Sequence, residues 1–246
     1  MKLALVTGGH RRLGSSISAR LAADGWAVAI HGAHDATPDS VLADAFERNA
    51  THWHGFVADL SDSDAVEGLI PAVANHFGKS PDLLVNNASR FVDDMAATAT
   101  AASLAAHHAV NTAAPIALAL ALYRAGGQGA VVNILDQRIR NPVPDQFSYG
   151  LSKAALASAT RALAVSLAPR IRVNAVAPGL TLPTPDYDTA LMARLADAMP
   201  LGRLSSHADI ADAVLFLATA ESATGQTLFI DSGASLKSFD RDFVHL

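Results

Sequence analysis

Short β-branched or apolar runs alternate with stretches of helical spacing along the whole chain, and that alternation leaves few folds open. Strands are predicted at Leu3–Thr7, Ala27–His31, His54–Ala58, Leu83–Asn86, Ala130–Ile134, Arg172–Ala177 and Thr227–Ile230. Helices are predicted between them at Leu13–Asp24, Val41–Asn49, Ala65–Phe77, Leu104–Tyr123, Tyr149–Leu167 and Ala208–Thr219. Strand, helix, strand repeated in this way predicts an α/β protein: a doubly wound parallel sheet of seven strands with helices on both faces. No Ser- or Pro-rich linker interrupts it, so residues 1–246 read as one domain. One long departure runs from Pro178 to Leu204, where Pro183, Pro185 and Pro200 forbid a single helix. Lying after a predicted strand, it is a candidate substrate lid over residues 179–204.

Composition narrows the function classes. Half the residues are hydrophobic and 17% are charged, ample material for a large core. Lys plus Arg number 18 against 23 Asp plus Glu, and a net charge of -5 argues against nucleic acid as a partner. With no cysteine there is no disulfide and no thiolate zinc site, which agrees with a reducing compartment. The opening apolar run is too short for a signal sequence or a membrane span. The expectation is a cytoplasmic protein that acts on a small molecule, away from membranes.

The first turn carries a cofactor signal. "LVTGGHRRLG" ends a strand at Thr7 and opens a helix near Leu13, with Gly8 and Gly14 allowing the backbone to approach a pyrophosphate. A glycine pair after a strand can be an ordinary tight turn; after the first strand of an alternating α/β chain it points to a dinucleotide. The middle glycine of the usual fingerprint is replaced by Arg12. The guanidinium groups of Arg11 and Arg12 are either solvated surface charges or donors for a phosphate or polar substrate. The second strand ends in His31, Gly32, Ala33 and His34, with no carboxylate for ribose hydroxyls until Asp35, which is too late. NADP(H) is therefore favoured over NAD(H).

A second cluster lies in "VVNILDQRIRNPVPDQFSYGLSK". Tyr149 and Lys153 stand four residues apart, on one face of a helix, and Asp136 follows a strand that reads as buried. A phenol with an ordinary pKa near 10 exchanges protons poorly at neutral pH, and an adjacent ammonium favours its ionised form.

Along essentially its full length the chain resembles the short-chain dehydrogenase/reductases. The motifs that carry the likeness are "TGGHRRLG", "ADL" at Ala58–Leu60, "VNNAS" at Val85–Ser89, Asn111 within a helix, "YGLSK" at Tyr149–Lys153, "APG" at Ala177–Gly179, and "TGQTLFIDSG" near the end. The resemblance implies a Rossmann-type fold and a cofactor site that includes Gly8, Arg11, Arg12, Leu13, Gly14, His31, Asp59, Leu60, Asn87, Ala88, Ser89, Tyr149, Lys153, Pro178 and Gly179. It also implies that Tyr149 exchanges the proton, that Lys153 tunes Tyr149 and holds the nicotinamide ribose, and that Asn111 helps hold a water linking Lys153 to solvent. Ser232 replaces a glycine usual in the last motif.

Most members carry a serine thirteen positions before the tyrosine, where this chain has Asp136. Aspartate there resembles the pteridine reductases and the related dihydromonapterin and dihydrofolate reductases. "HRRLG", "NNASRF" and "DQRIRNPVP" are similar to segments of that subgroup. Its members stack an aromatic ring on the pterin, a role the resemblance gives to Phe91, and Arg12 would reach the pterin or a cofactor phosphate. Asp136 and Tyr149 would then contact substrate. His31 agrees with a histidine found in some pteridine reductases, whereas Asp35 and Ala36 replace the arginine or serine that grips a 2′-phosphate.

Three functions stay open from sequence. They are a reductase of pterin or dihydrofolate-like substrates, a short-chain carbonyl or alcohol oxidoreductase such as a 3-oxoacyl reductase, and a cofactor-sensing regulator without chemistry. His107 and His108 are adjacent on a helix and point apart, while His52 and His54 flank a strand, so no metal site is expected. Tyr187 and Asp186 in the lid read more simply as part of a solvated loop than as substrate contacts. In the family, the helices corresponding to Ala96–Ala125 and Tyr149–Leu167 form a dimer face and tetramers are common, so a homo-oligomer is expected. The tail "SFDRDFVHL", with Phe239, Phe243 and Leu246, is expected to pack on a neighbouring subunit.

Overall fold

The computed structural model describes residues 1–181 and 189–243. Seven parallel strands form one sheet: β1 (Leu3–Val6), β2 (Ala27–Gly32), β3 (Trp53–Val57), β4 (Leu83–Asn86), β5 (Gly129–Ile134), β6 (Ile171–Pro178) and β7 (Thr227–Ile230). Their order is β3-β2-β1-β4-β5-β6-β7, a single-domain Rossmann-type arrangement. Among the described residues eight α-helices connect them: α1 (Arg12–Ala23), α2 (Ser40–Arg48), α3 (Ser63–Phe77), α4 (Ala101–His108), α5 (Ala114–Arg124), α6 (Phe147–Ser166), α7 (Thr189–Ala198) and α8 (His207–Thr219).

The strand period of two separates the core into two layers. Ala4, Val6, Val28, Ile30, Leu83 and Val85 turn to the layer that holds Ile17 and Leu21 of α1 and Ile210 and Val214 of α8. Leu3, Leu5, Ala27, Ala29 and Leu84 turn to the other face, against Val66 and Leu69 of α3 and Leu118 of α5. Because both faces are covered, each of β1, β2 and β4 reads as a nearly continuous apolar run.

The helix expected over Leu104–Tyr123 begins earlier and is not regular. Thr100 and Ser103 form a reciprocal capping box at its start, and residues Ala109–Ala113 widen into a π-helical segment before α5. The Ala101–Arg124 stretch is apolar enough, at mean hydropathy 1.2, to pass as a membrane span by composition. It instead packs on α3 and α6 inside the domain.

Two expectations need correction or restriction. Phe239 and Phe243 pack edge-to-face at 5.0 Å and join Leu195, Met199 and Ala234 of their own chain, so part of the tail's apolar surface is covered without a neighbour. The excursion after β6 contains α7, while Pro183, Pro185, Asp186 and Tyr187 lie outside the described residues, as does Leu246.

Candidate active site

The strand order reverses at β1, which pairs with both β2 and β4, and the crevice beyond the strand carboxyl ends is where such sheets bind ligands. Gly8 follows β1 with φ +59, and a Cβ on Gly14 would stand 1.9 Å from the Gly8 carbonyl oxygen. Only glycine permits that closure of the turn. No side chain caps the N-terminus of α1, and its first turn carries no acidic residue, so its N–H groups and the exposed Arg11 and Arg12 fit an anion such as a cofactor phosphate.

Arg12 itself has φ 55, the left-handed conformation that the missing glycine would adopt easily. Arg12→Gly is expected to raise unfolding free energy by up to about 1 kcal/mol, strain relief less the chain entropy of glycine. Chemical denaturation measures it, and a loss of stability would refute the strain.

His31 supports this turn from below. Its ring is 1% exposed, its Nδ1 accepts from the Gly8 N–H at 3.2 Å, and its Nε2–H donates to the Ala58 carbonyl at 2.8 Å. Burial lowers its pKa, so the neutral ring that these partners require is the stable one. From β4, Asn87 Nδ2 donates to the Thr7 and Gly8 carbonyls at 2.9 and 3.1 Å, and the N–H groups of Asn87 and Ala88 donate to Thr7 Oγ1 at 3.0 Å. Leu13, in the first turn of α1, packs on the core, Asp59 caps a turn through Ser61 after β3, and Leu60 is buried. Pro178 ends β6, and the Gly179 N–H donates to the Ile230 carbonyl at 3.0 Å. Ser232 takes φ 53, so it too occupies a conformation suited to the glycine it replaces.

The second cluster closes beyond β5. Tyr149 Oη donates to Asp136 Oδ2 at 3.0 Å, and Lys153 Nζ donates to the Ile134 carbonyl at 2.8 Å. Burial, aided by the Asp136 charge, raises the Tyr149 pKa well above its ordinary value. Burial lowers that of Lys153 to about 8 against an upward pull from Asp136. The expected depression of the phenol by Lys153 is thus absent in the protein alone, where the ammonium lies 5.7 Å from the ring centroid and both burial and carboxylate oppose phenolate. Tyr149 is a neutral donor held on a carboxylate.

Phe91 meets Tyr149 edge-to-face, with ring centroids 4.8 Å apart, and is more than half exposed. Asn111, in the π-helical segment, ties the strand-β4 loop to α6. Its Oδ1 accepts from the Arg90 N–H at 2.7 Å and the Ser89 hydroxyl at 3.2 Å, while its Nδ2 donates to the Arg90 carbonyl and Ser152 Oγ at 2.9 Å.

Several residues that build this site gave no signal in sequence. His107 turns inward rather than to a metal: its Nδ1–H donates to the Ser103 carbonyl at 2.9 Å and its Nε2 accepts from the Val92 N–H at 3.2 Å. Asp94 accepts from the Ser148 N–H at 2.9 Å and from Ser103 Oγ at 3.0 Å, fixing the Phe91 loop to the start of α6. Ser152, which lies between Tyr149 and Lys153 in the YGLSK motif, was the one legible from position. His54 and His76 stack at 3.8 Å at the sheet edge, and among the described residues no three His, Asp or Glu converge as metal ligands.

The comparisons with known proteins agree with this architecture. The family model described as Enoyl-(Acyl carrier protein) reductase matches residues 9–235. An uncharacterized oxidoreductase of Mycobacterium tuberculosis is 33% identical, with 97% of this chain and 94% of the relative covered. The 3-oxoacyl-(acyl carrier protein) reductase of Staphylococcus aureus is 31% identical over 94% of this chain and 97% of its own. The crystal structure of FolM, alternative dihydrofolate reductase 1, from Brucella canis complexed with NADP superposes with a TM-score of 0.85 at 37% identity, covering 96% of this chain and 95% of that one. With a family match across most of its length and the turn, the tyrosine and the lysine in their expected places, this chain belongs to the short-chain dehydrogenase/reductase family of oxidoreductases.

Proposed function

We propose that this protein is an NADPH-dependent reductase in which the bound cofactor supplies hydride to a C=N bond of a pterin, either a dihydropterin or a dihydrofolate-like substrate. The observation that carries this reading is Asp136, whose Oδ2 holds at 3.0 Å the hydroxyl of Tyr149, the ring that Phe91 meets edge-to-face. Reduction of C=N needs a proton on nitrogen, and Tyr149, its pKa raised by burial and Asp136, keeps that proton until charge develops beside it. Asp136 also accepts hydrogen bonds from a nitrogen-rich heterocycle, which a serine hydroxyl does less strongly. Phe91 is exposed enough to stack on a flat ring.

Gly8, Arg11, Arg12, Leu13 and Gly14 would hold the cofactor phosphates, with Asp59, Leu60, Asn87, Ala88, Ser89, Pro178 and Gly179 around the remainder. His31 serves that site indirectly, by bracing Gly8. Asp35 accepts from the Thr37 N–H and hydroxyl through Oδ1 at 2.9 and 2.7 Å, which keeps its carboxylate ionised. The NADP complex of the Brucella canis protein, with no carboxylate among His31 to His34 and with Arg11 and Arg12 beside the turn, supports NADP(H) over NAD(H). Lys153 would hold the ribose, and Asn111 would help hold a water that links Lys153 to solvent. Residues 179–204 would act as the lid, and exposed Leu151 and Val165 on α6, with Leu104 on α4, support a homo-oligomer, while a sequence free of cysteine agrees with the cytoplasm.

A second reading, a carbonyl reductase such as a 3-oxoacyl reductase, is favoured by the Staphylococcus aureus relative and the family description. NADPH oxidation by the purified protein with a dihydropterin, dihydrofolate and a panel of ketones, with NADH in parallel, separates the two. Asp136→Ser is expected to lower pterin turnover at least about tenfold while sparing or improving ketone reduction. Wild-type turnover of ketones alone would overturn the pterin assignment.

A further inference from the structure

The C-terminal segment reaches the Asp136 carboxylate from behind, through Arg138. Asp242 is 1% exposed and ion-pairs with the Arg138 guanidinium, whose own side chain is only 13% exposed. Arg138 in turn donates its backbone N–H to Asp136 Oδ1 at 2.9 Å and brings its Nε to 3.9 Å from the same oxygen. It also donates to Gln146, the residue that precedes α6 and takes φ 55. The segment is anchored beside this contact. Arg241 donates to both carboxylate oxygens of buried Asp145 at 2.8 to 3.0 Å, and the Asp242 N–H donates to Asp145 Oδ2 at 2.7 Å. Asp145 bridges Met95, in the loop that carries Phe91.

Burying two carboxylates and an arginine is an expensive way to fasten a tail that already rests on Phe243. Apolar residues of the same volume would fasten it as well. What they would not do is hold a guanidinium against Asp136. We propose that Asp242 is a positioning residue that, by clamping Arg138, keeps the Asp136 carboxylate aimed at the Tyr149 hydroxyl, so that the C-terminal segment forms the back wall of the active site.

This rests on Tyr149 as the proton-exchanging group, not on which substrate is reduced. The charged groups that face Tyr149 are Asp136, Arg138, Asp242 and Lys153. Arg138 lowers the Tyr149 pKa and Asp242 raises it by its direct charge, which makes the sign of a shift informative. If Asp242 only contributed its charge, Asp242→Asn would move the phenol titration to lower pH. If Asp242 holds Arg138 in place, Asp242→Asn releases that cation and moves the titration to higher pH, as Arg138→Gln does.

The experiment is the ultraviolet titration of the phenolate in the full-length protein without cofactor, taken as the difference from a Tyr149→Phe version of each variant. It is run on the wild type, Asp242→Asn, Arg138→Gln and the double variant, with circular dichroism to confirm folding. Alkaline shifts of the same sign in both single variants, with no further shift in the double, are expected. In turnover assays, kcat is expected to fall about 10- to 100-fold with KM nearly constant, the size that misplacement of a reacting group produces. An acid shift or none in folded Asp242→Asn overturns the proposal, as do additive losses in the double variant. Should Asp242→Asn fail to fold, Arg138→Lys, which keeps the charge but not the fork, is expected to show the same loss of kcat, and full activity in it would refute the clamp. Failure of all pterin turnover with these titration shifts intact would reject the substrate and leave the clamp standing.

Discussion

Tyr149→Phe is expected to lower kcat about 10²- to 10⁴-fold while leaving cofactor affinity within a small factor, the span that a positioned proton donor contributes. The substitution removes one oxygen and little else. The phenyl ring keeps its edge-to-face contact with Phe91, and Lys153 keeps its hydrogen bond to the Ile134 carbonyl. Asp136 Oδ2 loses its donor, but the half-buried carboxylate can recruit water, so the cost in stability is about 1 kcal/mol. Steady-state kinetics beside cofactor titration by fluorescence separates the two effects. Unchanged turnover would remove Tyr149 from the chemistry and with it the common basis of both reductase readings.

Lys153→Met is expected to abolish most activity and yet stabilise the fold by about 1–3 kcal/mol, the cost of holding a buried ammonium less one hydrogen bond. Lys153 is fully enclosed, and burial brings its pKa from 10.5 to about 8. Below pH 8 the lysine is charged in both the folded and the unfolded chain, so the full cost is present. Between about 8 and 10.5 the folded state has released a proton that the unfolded chain still binds, and wild-type stability rises with pH. The gap between variant and wild type should therefore close as pH climbs through that window. Urea denaturation at neutral and alkaline pH measures it. A variant no more stable than wild type at neutral pH would mean that the cavity lost more packing than the charge had cost. Activity that needs the ammonium should fall over the same range as pH rises through about 8.

The alternation of apolar runs with helical stretches sufficed for the sheet, because a strand buried on both faces has to be apolar throughout and such strands carry their own mark. Leu3 to Val6 and Leu83 to Asn86 are examples whose limits matched to a residue or so. Tyr149, Lys153, Gly8 and Gly14 were legible for a related reason: helix geometry and left-handed backbone impose local spacing that survives in one dimension. Asp136 stood out only as a departure from the serine of the family.

What the sequence withheld is everything decided between distant segments. Asn111 read as a residue that helps hold a water for Lys153, while the π-helical segment aims its amide at Arg90 and Ser152. His31 read as a cofactor contact, while its two ring nitrogens are spent on Gly8 and Ala58, which come together only because β2 lies between β1 and β3. The pKa of Tyr149 could not be foreseen from its neighbour four residues on, since burial and Asp136 dominate it, and burial is a property of the packed chain. The tail shows the same limit most plainly. Asp242 and Arg138 are 104 positions apart, and no local pattern marks an ion pair formed by returning the chain's end to the active-site loop. Sequence determined the sheet, the turn and the residue types of the site; the tertiary fold alone decided which charges face one another, because only packing sets distance and excludes water.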